Sequence, residues 1–209
     1  MTYYNSQVEQ LYMDFVGRGK LELLGARFSE EMFKGRWEQV MTSLSTQIMG
    51  TGITFSSVNA TYDLLSNGQI RVTNSAYNGK FEKIFIEGTS SKRFELDTCR
   101  TVKFEDLDIV GDYWIFYITK DKETILVAAP IIIPTPFFPI CVTGTFGLYV
   151  LTKDRNNFWN DAVKQKEIMK ELKNYGFTNF YNTPICSGES IPIKDPKEAA
   201  TVSTGTINF

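Results

Sequence analysis

The side chains able to do covalent or metal chemistry are few, and one type is missing altogether. The 209-residue chain has no histidine, so an imidazole general base, a Ser-His-Asp triad and a histidine-ligated metal are excluded. Its three cysteines, Cys99, Cys141 and Cys186, are widely spaced with no CxxC pair. That spacing fits neither a zinc site nor a full disulfide framework, and all three are expected as free thiols. No glycine-rich fingerprint leads from a strand into a helix, and a haem would need an axial ligand other than histidine, so no cofactor and no metal are predicted. With 22 Lys+Arg against 24 Asp+Glu the net charge is −2, which leaves no electrostatic footprint for nucleic acid. What the chain has in quantity is 16 Phe and 10 Tyr, against only 3 Trp.

The elements that must position these groups are mostly short strands. A first strand spans 36 to about 46. Over 54–65, Val58, Ala60, Tyr62 and Leu64 share one parity, and Ser66-Asn67-Gly68 supplies the positive-φ pair of a tight hairpin. Ile70, Val72, Asn74 and Ala76 then lie on one face, and Asn78-Gly79 leads into a strand over 81–87. Strand-type runs follow at 94–96 with 102–104, at 113–119, at 125–129 after a turn around Lys120-Asp121-Lys122, and at 146–152. Eight strands in sequence with short connections indicate an antiparallel meander, which at that number can close on itself and remove its edges. The expected fold is all-β, an eight-stranded up-and-down barrel.

Two segments invite a membrane reading and resist it. Residues 125–142 carry no charge, but Pro130, Pro134, Pro136 and Pro139 make a spanning helix untenable, so the segment must be strand, loop, strand. Near the N-terminus, Val8, Leu11, Tyr12, Phe15 and Val16 form an amphipathic helical stripe, opened by the capping pair Ser6 and Glu9 and ended by Gly17. It is expected to dock on the main domain. An interfacial membrane helix is the rival, against which its polar face lacks Lys and Arg. The first twenty residues have no signal-peptide pattern. Trp159, Val163, Met169 and Leu172 make a loose stripe for one helix packed outside the barrel, ended at Gly176. The organisation read from this is an N-terminal extension over 1–27, a barrel with its helix over 28–186, and a tail over 187–209, extended or disordered.

Several segments together carry a family likeness. FSEEMFKGRWEQV, with Phe28, Phe33, Gly35 and Trp37, resembles the first lipocalin motif, in which Gly-x-Trp opens the first strand. ATYDLLSNGQIRVTNSAY resembles strands two and three, GDYWIFYITKDKETILVAAP strands six and seven, GLYVLTKD strand eight, and LKNYGFTNFYNTPIC the end of the helix and the strand beyond. The chain is thereby identified as similar to the lipocalins, nearest the apolipoprotein-D-like and bacterial branch. The resemblance implies a lipocalin calyx plugged by the Trp37 indole, with Gly35 permitting close backbone approach at the floor. It also places a basic residue across the indole face: Lys153, or Arg155 if the register shifts. The second family motif survives only as Thr119-Lys120-Asp121, which puts the closed-end hydrogen bonding in doubt. The cysteine bridge of many secreted members would pair Cys186 with the position held by Ser57, so it cannot form. With no signal peptide and no transmembrane helix, a cytoplasmic setting is expected, peripheral membrane association remaining open.

By parity and strand matching, Tyr62, Val72, Asn74, Tyr113, Ile115, Tyr117 and Tyr149 are expected to face the lumen, the choice of face on strand six (Tyr113, Ile115, Tyr117) being what the resemblance alone implies. There phenols and the Asn74 amide could orient a carboxylate or carbonyl. The resemblance implies non-enzymatic binding or transport of a small hydrophobic ligand such as a fatty acid, lysophospholipid or other lipid. A protein-interaction scaffold and a lipocalin-type enzyme are the alternatives. The connection over 130–145, with Ile132, Phe137 and Phe138, is expected as a loop at the open mouth: a lid, a membrane or protein contact, or a homo-oligomer interface.

Overall fold

The computed structural model describes residues 28–42, 56–77, 83–93, 96–104, 110–134, 139–175, 177, 181–183 and 185. The expected N-terminal helix, the ends at Asn78-Gly79 and Gly176, Phe137, Phe138, Cys186 and the tail lie outside these residues. A single helical turn, α1 (Glu30–Phe33), enters eight strands: β1 (Gly35–Thr42), β2 (Ser56–Leu64), β3 (Ile70–Tyr77), β4 (Lys83–Arg93), β5 (Leu96–Phe104), β6 (Val110–Ile118), β7 (Thr124–Pro134) and β8 (Pro139–Thr152). Each pairs antiparallel with the next, and β1 pairs with both β2 and β8, closing an up-and-down barrel. A two-residue strand, β9 (Tyr181–Asn182), pairs with Met41 and Thr42. Since β8 holds the other edge of β1 there, β9 takes the edge that β2 leaves after Glu38.

Alternating side chains divide the apolar residues into two sets. The inner set joins Trp37, Tyr62, Val72, Ile86, Tyr113 and Val127 among others, and the outer set joins Val40, Trp114, Leu126 and Val150 to Phe158, Ile168 and Leu172 of the helices. The helical region is two elements, α2 (Arg155–Asn160) and α3 (Ala162–Asn174), not the one helix expected. Asp161 divides them: its extended backbone ends α2 while its carboxylate caps α3 through the Lys164 amide at 2.9 Å. The residues α3 buries are Lys164, Ile168 and Leu172, at i, i+4 and i+8. Val163, expected in the stripe, is 79% exposed.

The turns show why particular residues are needed. In the β2–β3 connection Gly68 alone has positive φ, at 79°, with Gly68 N–H donating to Leu65 C=O. This turn has one left-handed glycine, so the expected positive-φ pair is corrected to a single residue. At Gly35, φ is 100° and a Cβ would meet nothing within 4 Å. Its freedom of φ, not close approach, is what the α1–β1 junction uses, contrary to the sequence expectation. Close approach occurs instead at Gly88, where a Cβ would meet the Lys103 carbonyl oxygen at 2.6 Å.

The 130–145 segment is corrected as well. Its described residues are not loop: β7 runs on through Pro134 and β8 starts at Pro139, with Ile132 opposite Cys141, Ile133 opposite Ile140 and Pro134 opposite Pro139. An uncharged, β-branched run satisfies its backbone most simply by continuing the ladder, and the two prolines, which have no N–H to donate, fall at its last rung. Among the described residues no helix is long and apolar enough to cross a membrane.

Candidate ligand-binding site

The floor of the barrel is built first. The Trp37 indole is buried and donates Nε1–H to the Phe33 carbonyl at 2.8 Å, and Lys153 Nζ lies 5.2 Å from its ring centre. Arg155, the alternative partner, turns away and donates from Nη2 to the Gln39 carbonyl at 2.8 Å, tying α2 to β1. The Phe33 ring is 3.9 Å from that of Tyr62, so α1 stacks directly on the lumenal aromatics. Beside them sits a residue the sequence does not single out: Arg100 on β5, fully buried. Its Nε donates to Ser90 Oγ at 2.9 Å and its Nη1 pairs with Glu30 Oε1 of α1 at 3.1 Å.

The β6–β7 turn closes the same end with more order than its shortened motif promises. Thr119 Oγ1 donates to Asp121 Oδ1 at 2.6 Å and accepts the Thr124 amide at 3.0 Å, while Lys164 of α3 meets Asp121 Oδ2 at 2.6 Å. Partial burial opposes ionisation of Asp121, but the Lys164, Thr119 and Glu123 donors outweigh it and hold the carboxyl below its usual range.

Above the floor the lumen is not filled. A cavity of about 100 Å³ remains, and Tyr62, Val72, Asn74, Tyr113 and Tyr149 of the expected set line it. Asn74 is held on the inner face by its neighbours across the sheet, Ala60 and Ile86, both in the inner set. Tyr149 stands opposite Val127, likewise inner. Ile115 belongs to the inner set but does not line the cavity described.

Tyr117 is a correction. A bulge between Ile115 and Tyr117 reverses the parity of β6, so Ile118, not Tyr117, returns to the interior. The Tyr117 hydroxyl donates instead to Glu167 of α3, and the ring packs with the outer set. Sequence reading misses Gln39, Phe104, Ala129 and Leu151, which also line the cavity. Gln39 is legible in principle, two residues beyond Trp37 on the same face. Asn59 is not, because β2 has an irregularity between Ser56 and Asn59, with Ser57 at a left-handed φ of 47°.

The lumenal phenols are neutral. Burial first, then the neighbouring Tyr113, pushes Tyr62 well up, although Arg100 pulls the other way. Burial pushes Tyr113 up to about 12 against Arg100 and Ser90, and pushes Tyr149 up with no opposing partner. Each can therefore donate an O–H across the physiological range. The described thiol, Cys99, belongs to the outer set; burial, with Asp112 second, pushes it up, so it is neither lumenal nor nucleophilic. Among the described residues no three of Cys, Asp and Glu are grouped to hold a metal.

A closed eight-stranded barrel with an indole-plugged floor, a partly empty lumen and helices on its outer wall defines a calyx-type barrel. The family model for the lipocalin-like domain matches residues 30–132. Temperature-induced lipocalin-1 of Arabidopsis thaliana is 32% identical over 109 residues, a match covering 48% of this chain and 56% of that protein, so the chain spans little more than half the length of that relative. Solved structures share the fold at low identity. Lobster apocrustacyanin A1 has a TM-score of 0.59 at 13% identity, covering 83% of this chain and 88% of that one. The cockroach allergen Per a 4 has a TM-score of 0.56 at 14% identity, covering 78% and 92%. Over residues 30–132 the chain is similar to the lipocalin-like domain, and its barrel has the fold of these structures.

Proposed function

We propose that the protein binds a small hydrophobic ligand inside the barrel and carries or sequesters it without changing it chemically. The observation that carries this reading is the unfilled lumen: close packing is the rule in protein interiors, yet about 100 Å³ is left between Tyr62, Val72, Asn74 and Tyr149. The wall is mainly apolar with a few polar groups, which suits burial of an apolar body with one oriented end. A fatty acid, lysophospholipid or other lipid belongs to this class if part of its chain enters. The space is of the order of the ~150 Å³ apolar cavity that takes benzene, so it favours a compact group over a whole acyl chain. A binding role without catalysis is supported by the absence of histidine and by Cys99 standing outside the lumen.

Titration with α-methylstyrene, followed by ligand-observed NMR, tests the proposal. Ala129 lines the cavity and belongs to the inner set, so Ala129→Phe should fill it. Wild-type protein is expected to bind saturably, and the Ala129→Phe variant at least about tenfold more weakly, the loss of most of a small ligand's buried contact. Equal binding by both, or binding by neither, would overturn the proposal. Native mass spectrometry of freshly purified protein should in addition reveal the mass of any retained ligand.

A further inference from the structure

Resting on that reading, we infer that the calyx selects a neutral ligand bearing one acceptor oxygen, a carbonyl or ether-type group, and that the Tyr149 hydroxyl is the group that reads it. The Tyr149 oxygen is buried, it lies on a residue lining the cavity, and among the described residues it has no hydrogen-bond partner. The other lumenal hydroxyl with a defined partner differs: Tyr113 Oη is 3.5 Å from Ser90 Oγ, within the Arg100 network. Native interiors seldom leave a buried hydroxyl unmade, and on a residue that lines an empty space the natural partner is what enters that space. A neutral phenol offers a proton, so the incoming group must accept.

The charges around the cavity decide between the acceptors. The described residues lining it include neither Lys nor Arg. The buried cation inside the barrel, Arg100, is already engaged by Glu30 and Ser90 beneath the floor aromatics. The acidic lining residue, Asp112, is paired with Arg93 at 2.9 Å. A carboxylate brought to Tyr149 would lose its hydration, gain one phenol and meet no uncommitted cation, which is unfavourable in a low-dielectric site. A ketone, aldehyde or ester oxygen loses far less and gains the same hydrogen bond. Asn74, across the lumen on β3, adds a second neutral polar group and no charge.

Three probes of nearly the same shape separate the possibilities: acetophenone, benzoate and α-methylstyrene, which carry at one position an acceptor oxygen, a carboxylate and a methylene. The acetophenone Kd is expected to be about tenfold below that of α-methylstyrene, the worth of one buried neutral hydrogen bond, and benzoate is expected to bind most weakly. Tyr149→Phe should abolish the ketone's advantage, so that the acetophenone and α-methylstyrene Kd values converge. The same variant, free of ligand, should melt no lower than wild type, because it removes a buried hydroxyl that no described residue satisfies. Benzoate binding as tightly as acetophenone, a ketone advantage that survives Tyr149→Phe, or a lowered melting temperature would overturn the inference. Those results differ from failure of the binding proposal itself, in which α-methylstyrene does not bind either and the selectivity falls with it.

Discussion

Trp37→Ala is expected to destabilise the protein by about 3–5 kcal/mol, the range for removing a large aromatic from a packed interior. The indole is only 1% exposed, and its loss takes away three things together. Its rings fill the floor between Phe33 and the barrel wall, its Nε1–H satisfies the Phe33 carbonyl that ends α1, and its face receives Lys153. The last contact is the smallest, about 0.5–1 kcal/mol, because Lys153 is exposed. Trp37→Phe keeps part of the volume and loses the hydrogen bond, so it should cost markedly less than alanine. Equilibrium urea unfolding of wild type and the two variants checks the order. An alanine variant within about 1 kcal/mol of wild type would mean that the floor does not depend on the indole.

Glu30→Ala should cost about 2–4 kcal/mol, less than the full value for breaking a buried ion pair because Glu30 is 20% exposed. The reason is what remains. Arg100 would keep its guanidinium inside the barrel with neutral Ser90 and Tyr113 to hold it and no anion, and α1 would lose its tie to β5. Lys92 approaches the same Glu30 oxygen at 3.6 Å, but at 38% exposure it gains little from the contact. A double-mutant cycle with Arg100→Met isolates the effect: the double variant should be more stable than Glu30→Ala alone, since an uncharged floor leaves no charge stranded. If Glu30→Ala is no more costly than Arg36→Ala, whose ion pair with Glu38 lies at the surface, the buried pair is not what holds α1.

How far the molecule can be read from its residues depends on whether the chain keeps strict alternation. On β3, Val72 and Asn74 follow the pleat without interruption, and parity alone places both in the cavity wall. On β6 every residue from Tyr113 to Ile118 is apolar, so the sequence contains no signal for the bulge that turns Tyr117 outward. The 130–134 and 139–145 stretches read as loop because prolines punctuate them, whereas pairing between two uncharged runs is a tertiary fact that composition does not encode. The split at Asp161 is legible as a capping residue but is hidden inside a continuous helical stripe. Arg100 is invisible for a different reason: a basic residue in a strand reads as solvated, and only the arrival of Glu30, 70 residues earlier in a helical turn, lets it stay buried. Tyr62, Val72 and Asn74 come from strands where period two holds, whereas Asn59 is missed because it lies beside an irregularity.

Occupation of the lumen by a small apolar molecule is tested most directly by bromine scattering. Anomalous diffraction from crystals grown with 4-bromoacetophenone should give a bromine peak inside the barrel, with the ketone oxygen within hydrogen-bonding distance of Tyr149 Oη and the ring against Val72 and Val127. A peak found only on the outer wall, or an empty lumen at saturating probe, would contradict it.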